Sequence, residues 1–237
     1  MCGISGFLAH DPAALAGAFA AVVRAMNHAI AHRGPDADRV WSHGPCTLGH
    51  RRLSIIDLSN EANQPLLNED ETLAVIVNGE IYNFVELRES LRARGHTFRS
   101  KSDSEVALHL YEEHGEDFVR HLDGMFALAL YDTRAQRLVL ARDRSGKKPL
   151  YYRRTRHGLA FASEVHALIR AFPDEPPEVN LAAIDEYLTL QYVPAPLTPY
   201  RDTAKLPAAT VASITPGETP RPRVWWERPR DGVLRGT

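Results

Sequence analysis

Four stretches of the chain repeat apolar residues every three or four positions, a spacing that places them on one face of an α-helix. They cover residues 13–31, 83–94, 103–114 and 181–190. Asn83 stands where it can cap the second stretch, and a glycine directly follows both the second and the third. The pattern therefore predicts four helices.

The remaining apolar runs are short and separated by turn residues, which is typical of β-strands. They cover residues 2–9, 39–42, 46–50, 53–57, 73–77, 126–131, 137–141, 150–154 and 159–163. The last four are predicted to form two hairpins. Since the strands come in antiparallel groups with helices between them, the order favours a layered α+β fold over a doubly wound parallel sheet.

Composition narrows the class of protein. The 237 residues carry 28 Lys and Arg against 30 Asp and Glu, a net charge of −2. That balance argues against broad electrostatic binding to nucleic acid or acidic membranes, and no apolar run is long enough to span a bilayer. With two cysteines and no basic secretory leader, a cytoplasmic protein is expected. His28 and His32 lack accompanying carboxylates or cysteines, so no metal site is expected.

Proline becomes frequent after about Ala171. We therefore expect a compact domain over residues 2–172 and a proline-rich interdomain or C-terminal extension over residues 173–237. Trp225 and Trp226 would pack against a further domain, and without it they would form an exposed apolar patch.

Cys2 is the first residue along the chain that could take part in catalysis. Removal of Met1 would leave a cysteine with its own free α-amine, whose pKa of about 7.7–8.0 suits a base near neutrality. One residue would then supply both a nucleophile and the base that activates it. A cysteine at the second position can also be incidental, and the position alone does not decide.

Three further segments have both a catalytic and a structural interpretation. Asn78 and Gly79 follow an apolar strand and could hold an oxyanion, although Asn-Gly is also a common hairpin turn. Arg52 could bind a carboxylate through two parallel hydrogen bonds, or it could belong to a solvated basic pair. Asp103 could bind an ammonium group, or it could simply start a helix together with Ser102.

Each of these segments is ambiguous by itself, but together they match a pattern known from other proteins. The stretches CGISGF, HRGPD, LGHRRLSIIDLS, NQPL, VNGEIYN, SDSEV, LDGMFALALYD, ARDRSGKKPLYY and FASEVHAL occur in one order across residues 2–170. In sequence and spacing they resemble the class II glutamine amidotransferase domain of the asparagine synthetase family. That resemblance implies an N-terminal-nucleophile hydrolase fold with four αββα layers, in which two stacked antiparallel sheets are flanked by helices.

The resemblance also implies roles for individual residues. Cys2 would be the nucleophile, and Asn78 with Gly79 would form the oxyanion hole. Arg52 would hold the α-carboxylate of glutamine, and Asp103 with Glu80 would lie near its α-ammonium group. The pocket lining would come from Leu53, Ser54, Ile55 and Ile56. The segment 33–36 would be a loop that closes over the thioester.

The resemblance implies that L-glutamine is the substrate and that its hydrolysis needs no cofactor or metal. The family's ATP-binding domain, with its Ser-Gly-Gly-x-Asp-Ser type loop, is not found in the sequence, so ATP and Mg would enter only through a synthetase domain or partner. The acceptor of the ammonia and homo-oligomer formation stay open, as does the choice between a stand-alone subunit and a fragment. The segment Leu206–Thr210 departs from the family's Leu-Pro-Pro-Gly-like turn.

Two rival functions follow from the same residues. The chain could be a non-catalytic interaction module that keeps the fold, or an N-terminal-nucleophile hydrolase that acts on a different amide. Intact Cys2, Asn78 and Gly79 favour catalysis over the first rival. The opposite charges of Arg52 and Asp103 match a free amino acid and favour glutamine over the second.

Overall fold

The computed structural model describes residues 2–228, in which groups of strands are separated by one or two helices. The strands are β1 (Gly3–Ala9), β2 (Ala37–His43), β3 (Cys46–Arg52), β4 (Leu66–Leu67), β5 (Leu73–Ile81), β6 (Gly124–Asp132), β7 (Arg137–Arg142), β8 (Tyr151–Arg154), β9 (Gly158–Ala162), β10 (Thr203–Lys205), β11 (Thr210–Ile214) and β12 (Arg223–Val224). The helices are α1 (Ala20–Ala29), α2 (Phe84–Ala93), α3 (Val106–His114), α4 (Val165–Arg170) and α5 (Leu181–Leu190).

Within the described residues, the strands form two six-stranded sheets, with every pairing antiparallel. The first sheet has the order β10-β8-β9-β1-β3-β2, and the second has the order β12-β11-β7-β6-β5-β4. The central strands of both sheets are buried on both faces, which explains why most of them are apolar throughout instead of alternating with polar residues.

Alternate side chains of each strand enter different layers of the core. Ile4 and Leu8 of β1, like Ala74 and Ile76 of β5, lie in the cluster between the sheets. Phe7 packs under α1 and α4 on one outer face, and Val75 packs with α3 on the other. Because side chains along a strand alternate between faces, this arrangement gives four layers, α-β-β-α. The predicted fold is confirmed.

Two predicted elements are wrong in detail. The helix predicted over residues 13–31 begins only at Ala20, because Gly17 has a φ of +84° and the preceding residues form turns. Residues 53–57 are not a strand: β3 ends at Arg52, and the following segment wraps around the cavity described below. The hairpin turn considered for Asn78 is also wrong, since β5 continues through it to Ile81.

The segment after Phe172 takes part in both sheets. Strand β10 pairs with β8 in the first sheet, and β11 pairs with β7 in the second. The predicted boundary at Phe172 therefore does not coincide with the edge of either sheet. Trp225 is 3% exposed and donates its indole N–H to the Arg142 carbonyl at 3.1 Å, so the expected exposed patch at this tryptophan is wrong.

Candidate active site

Strand register brings three predicted site residues to one end of the space between the sheets. In β3, Cys46 and Leu48 face the inter-sheet core, and Arg52 has the same parity. In β5, Ala74 and Ile76 face that core, and Asn78 has the same parity. Cys2 precedes β1 with the parity of Ile4. Because side chains alternate between the two faces of a strand, residues from three distant sequence segments meet at one site.

A cavity of about 170 Å³ lies at this end of the sheets. Its lining includes nine of the ten predicted site residues: Cys2, Arg52, Leu53, Ile55, Ile56, Asn78, Gly79, Glu80 and Asp103. Ser54 is not in the lining. Its backbone N–H instead donates to Asp36 Oδ2 at 2.7 Å, and this contact ties the predicted closing loop to the segment after β3.

The Cys2 thiol is half-buried beside the backbone of Leu53. The Leu53 N–H lies 3.4 Å from Cys2 Sγ, and the thiol lies 3.6 Å from the Leu53 carbonyl oxygen. Arg33 Nε donates to the Cys2 carbonyl at 2.9 Å, and Glu164 holds the same guanidinium at 2.7 Å. The N-terminal segment is therefore held by a partly buried polar network.

Asn78 is 1% exposed, and neither atom of its side-chain amide has a hydrogen-bond partner among the described residues. Leaving a buried polar group unpaired costs about 1–3 kcal/mol, and native structures rarely do so without a functional reason. This amide lines the same cavity as Cys2. It is therefore available to a ligand group placed there.

Gly79 lies in β5 between Val77 and Ile81, whose backbone N–H groups both donate to side chains. Gln64 Oε1 accepts from the Val77 N–H at 2.5 Å, and Asp103 Oδ2 accepts from the Ile81 N–H at 2.8 Å. Since N–H groups alternate direction along a strand, the Gly79 N–H points toward the same edge between them. A Cβ at Gly79 would lie 2.2 Å from the Met125 carbonyl oxygen, so only glycine fits.

Asp103 is 5% exposed in the 3₁₀ turn that precedes α3. Burial raises the pKa of its carboxyl above the usual 3.8, although the hydrogen bond from the Ile81 N–H opposes the shift. The nearby Glu80 carboxylate raises it further. A cationic group in the cavity would favour the charged form of Asp103.

Arg52 is buried and organises the cavity wall. Its guanidinium donates to the Ser59 carbonyl and to Asn63 Oδ1, both at 2.7 Å, and also to the Asp57 carbonyl. The solvated basic pair considered for Arg52 is therefore wrong. Arg52 holds the segment that carries the exposed side chains Ile55 and Ile56 at the rim of the cavity.

Several lining residues were not identified from the sequence. Gln64 and Lys148 line the cavity, and Glu164 lies behind Cys2 through Arg33. Their sequence signals are the stretches NQPL, SGKKPLYY and FASEVHAL, which contain them without indicating a role. Tertiary contacts, not local spacing, bring them to the site.

Solved structures share this fold. A glutamine phosphoribosylpyrophosphate amidotransferase from Bacillus subtilis, solved with ADP and GMP, superposes with a TM-score of 0.71. The match covers 96% of this chain and 50% of that chain at 18% identity. This similarity supports the N-terminal-nucleophile fold.

Relatives found by sequence share a higher identity with this chain than the solved structure does. Asparagine synthetase (glutamine-hydrolyzing) 1 of Bacillus subtilis strain 168 is 40% identical over 216 residues, which are 91% of this chain and 34% of the relative. Asparagine synthetase (glutamine-hydrolyzing) 3 of Arabidopsis thaliana is 51% identical over 144 residues, 60% of this chain and 24% of the relative. This chain thus spans about a third of the length of the first relative. The family profile described as the glutamine amidotransferase domain matches residues 1–226. The chain accordingly belongs to the glutamine amidotransferase domain family, whose relatives here are glutamine-hydrolysing asparagine synthetases.

Proposed function

We propose that this chain hydrolyses L-glutamine to glutamate and ammonia with Cys2 as the nucleophile. The observation that carries the proposal is the unpaired amide of Asn78, which is buried beside the cavity that also contains Cys2. An oxyanion formed at a carbonyl near the Cys2 sulfur would give this amide its missing partner.

The mechanism begins with removal of Met1, which lies outside the described residues. The freed α-amine of Cys2 then accepts the thiol proton, and the thiolate attacks the side-chain carbonyl carbon of glutamine. Asn78 Nδ2–H and the Gly79 N–H stabilise the tetrahedral oxyanion. The C–N bond breaks as the ammonium of Cys2 protonates the leaving nitrogen. Water, deprotonated by the same amine, hydrolyses the thioester and releases glutamate.

Recognition of the free amino acid uses two opposite charges. The Arg52 guanidinium has five N–H donors, and its bonds to the segment 57–63 leave others for the α-carboxylate. Asp103 and Glu80 provide negative charge for the α-ammonium group. The small cavity suits a single amino acid, since drug-sized ligands need roughly 300–1,000 Å³.

We also propose an ATP-dependent synthetase domain or subunit as the partner that uses the ammonia, with ATP and Mg bound only there. The lengths of the relatives support this pairing, since this chain matches 34% of the first. Helix α5 offers a surface for it, because Leu181, Tyr187 and Leu188 are more than half exposed. No helix in the described residues is both long and apolar enough to cross a membrane. We propose a cytoplasmic location, which would keep both free thiols reduced.

Selective labelling tests the nucleophile. A diazo-ketone analogue of glutamine should modify Cys2 and abolish ammonia release. Cys46 is the internal control, because it is fully buried and burial raises the pKa of its thiol. Cys2→Ala should be inactive with unchanged circular dichroism.

Intact-mass spectrometry of the same preparation should show a chain without Met1. Labelling mainly at Cys46, or hydrolysis by a chain that retains Met1, would refute the proposed chemistry. A folded chain with an unblocked Cys2 that releases no ammonia, alone or with a synthetase, would favour the non-catalytic interaction module.

A further inference from the structure

A cluster of two histidines and two glutamates lies outside the cavity of Cys2. Glu69 belongs to the turn between β4 and β5, His96 follows α2, and His109 and Glu112 share one face of α3. One potential ligand atom from each of the four residues lies within 4.8 Å of the others. None of the four lines the cavity of Cys2. We call these four residues the His/Glu cluster.

The spacing of the cluster matches a tetrahedral coordination shell. Glu112 Oε2 lies 2.8 Å from His109 Nδ1 and 3.3 Å from His96 Nδ1. Glu69 Oε2 lies 3.7 Å from His109 Nδ1. With bonds of about 2.0–2.1 Å, ligand atoms around tetrahedral zinc are separated by about 3.3 Å. The observed distances bracket that value, so small side-chain shifts would admit an ion.

The outward atoms of three cluster members are already fixed. The contacts are His96 Nε2 with Glu113 Oε1 at 3.0 Å, Glu112 Oε1 with Asn68 Nδ2 at 2.8 Å, and Glu69 Oε1 with the Thr97 N–H at 2.8 Å. A carboxylate that binds the far nitrogen of a histidine is the usual support of a metal-ligating imidazole. Each of these side chains is therefore oriented with its inner atom directed at the other members.

His109 is the buried member and the fixed point of the cluster. Its side chain is 1% exposed, with its ring 4.5 Å from the ring of Phe98 and 4.8 Å from that of His96. Its Nδ1 is close to both glutamates, whereas its Nε2 has no hydrogen-bond partner among the described residues. The contacts of His109 with the other cluster members thus run through Nδ1, the nitrogen that would bind a cation here.

We propose that the His/Glu cluster binds one divalent zinc ion. Two imidazoles and two carboxylates suit Zn²⁺, whereas Mg²⁺ and Ca²⁺ prefer oxygen ligands alone. Four protein ligands close the coordination shell, so the site is structural and not catalytic. The ion joins the β4–β5 turn and the end of α2 to α3. It thereby stabilises the helix that follows Asp103.

The test uses the untagged full chain, freed of metal by chelation and titrated with zinc by calorimetry. We expect one equivalent of zinc to bind, and the Tm to rise by about 5–10 °C when free zinc is about 100 times the Kd. His96→Gln and Glu69→Gln should each lose most of the binding and most of the Tm shift. Glu69 is exposed and His96 is only partly buried, so the variants should fold.

Two controls separate this site from others. His114→Gln changes a histidine of α3 that stacks on His121 and is not a cluster member, so it should bind zinc normally. Cys2→Ala removes the thiol that could chelate zinc together with the α-amine. Cobalt bound at the cluster should show tetrahedral d–d absorption without a thiolate charge-transfer band.

The proposal would be overturned by an absence of binding, by zinc binding that survives His96→Gln and Glu69→Gln, or by binding that disappears in Cys2→Ala. It does not depend on the proposed glutaminase activity, since the readouts are metal content, spectrum and Tm. The prediction of no metal site rested on His28 and His32, whereas the four residues of the cluster come from three separate segments of the chain.

Discussion

At the scale of the residue, Asn78 is predicted to affect both stability and activity. Its amide is buried, has no hydrogen-bond partner among the described residues and lines the cavity of Cys2, and such an unpaired group costs about 1–3 kcal/mol. Asn78→Ala should lower kcat about 10²–10³-fold with little change in KM, because the donor acts once the oxyanion forms. The Tm should stay unchanged or rise, since the unpaired group disappears. Steady-state kinetics and thermal unfolding of one preparation measure both. A lower Tm with unchanged kcat would mean that the amide is structural.

Asp103 should make glutamine binding sensitive to acid. Its pKa is raised, mainly by burial, so the carboxyl becomes neutral at a higher pH than an exposed aspartate. Its attraction for the α-ammonium group is present above that pKa and is lost as the pH falls through it. We expect the Kd of glutamine to increase across that acid range.

Calorimetry with Cys2→Ala measures this binding without hydrolysis. Adding Asp103→Asn should give weak binding whose pH dependence in this range is lost. An unchanged pH profile in the double variant would assign the titration to another group.

At the scale of elements, the turn before β11 contains a strained residue. Ala209 has a φ of +53°, in the left-handed region that favours glycine, and it is buried. Its N–H donates to the Asp143 carbonyl, and its carbonyl accepts from the Trp225 N–H, both at 2.9 Å. Ala209→Gly should raise the Tm by about 1–4 °C, because an L-residue in this region costs roughly 1 kcal/mol. Differential scanning calorimetry provides the measurement.

The neighbouring Ala208 offers a matched control, since it lies outside the left-handed region. Ala208→Gly should lower the Tm, because added freedom in the unfolded chain brings no relief of strain. Equal shifts in the two variants would show that backbone conformation is not the cause. The departure of Leu206–Thr210 from the family's turn is thus a local strain in the connection between β10 and β11.

At the scale of the whole molecule, this chain alone should release ammonia from glutamine slowly and form no asparagine from aspartate and ATP. An added synthetase of the asparagine synthetase type, itself inactive toward glutamine, should raise the rate by docking on α5. Leu188→Glu should reduce that stimulation, since Leu188 is 74% exposed on α5. The control is Leu15→Glu, at a leucine 82% exposed on a different segment. Coupled ammonia and asparagine assays measure both activities.

Two results would contradict this division of labour. Asparagine formation by the pure chain would show that it contains an acceptor site of its own. Equal loss of stimulation from Leu188→Glu and Leu15→Glu would show that α5 is not the docking surface.

Local sequence determined most of the elements of this protein. Apolar spacing predicted α5 residue for residue, and with the following glycines it predicted where α2 and α3 end to within one residue. Helix period and helix termination are set within a few neighbouring residues. The order of the motifs around Cys2, Asn78 and Asp103 indicated the family, since each motif can be recognised from its own short sequence.

Tertiary structure decided what those segments do together. The dipeptide Asn78-Gly79 is typical of a turn, but its pairing with β6 keeps it in a strand. The side-chain amide of Asn78 therefore reaches the cavity. Residues 53–57 have the composition of a strand but no neighbouring strand, and the Arg52 guanidinium bends them around the site. Two further sets of contacts join segments that are far apart in sequence. Arg33, held by Glu164, binds the Cys2 carbonyl, and the His/Glu cluster brings together Glu69, His96, His109 and Glu112. Contacts of this kind depend on packing and sheet register, which spacing along the chain does not specify.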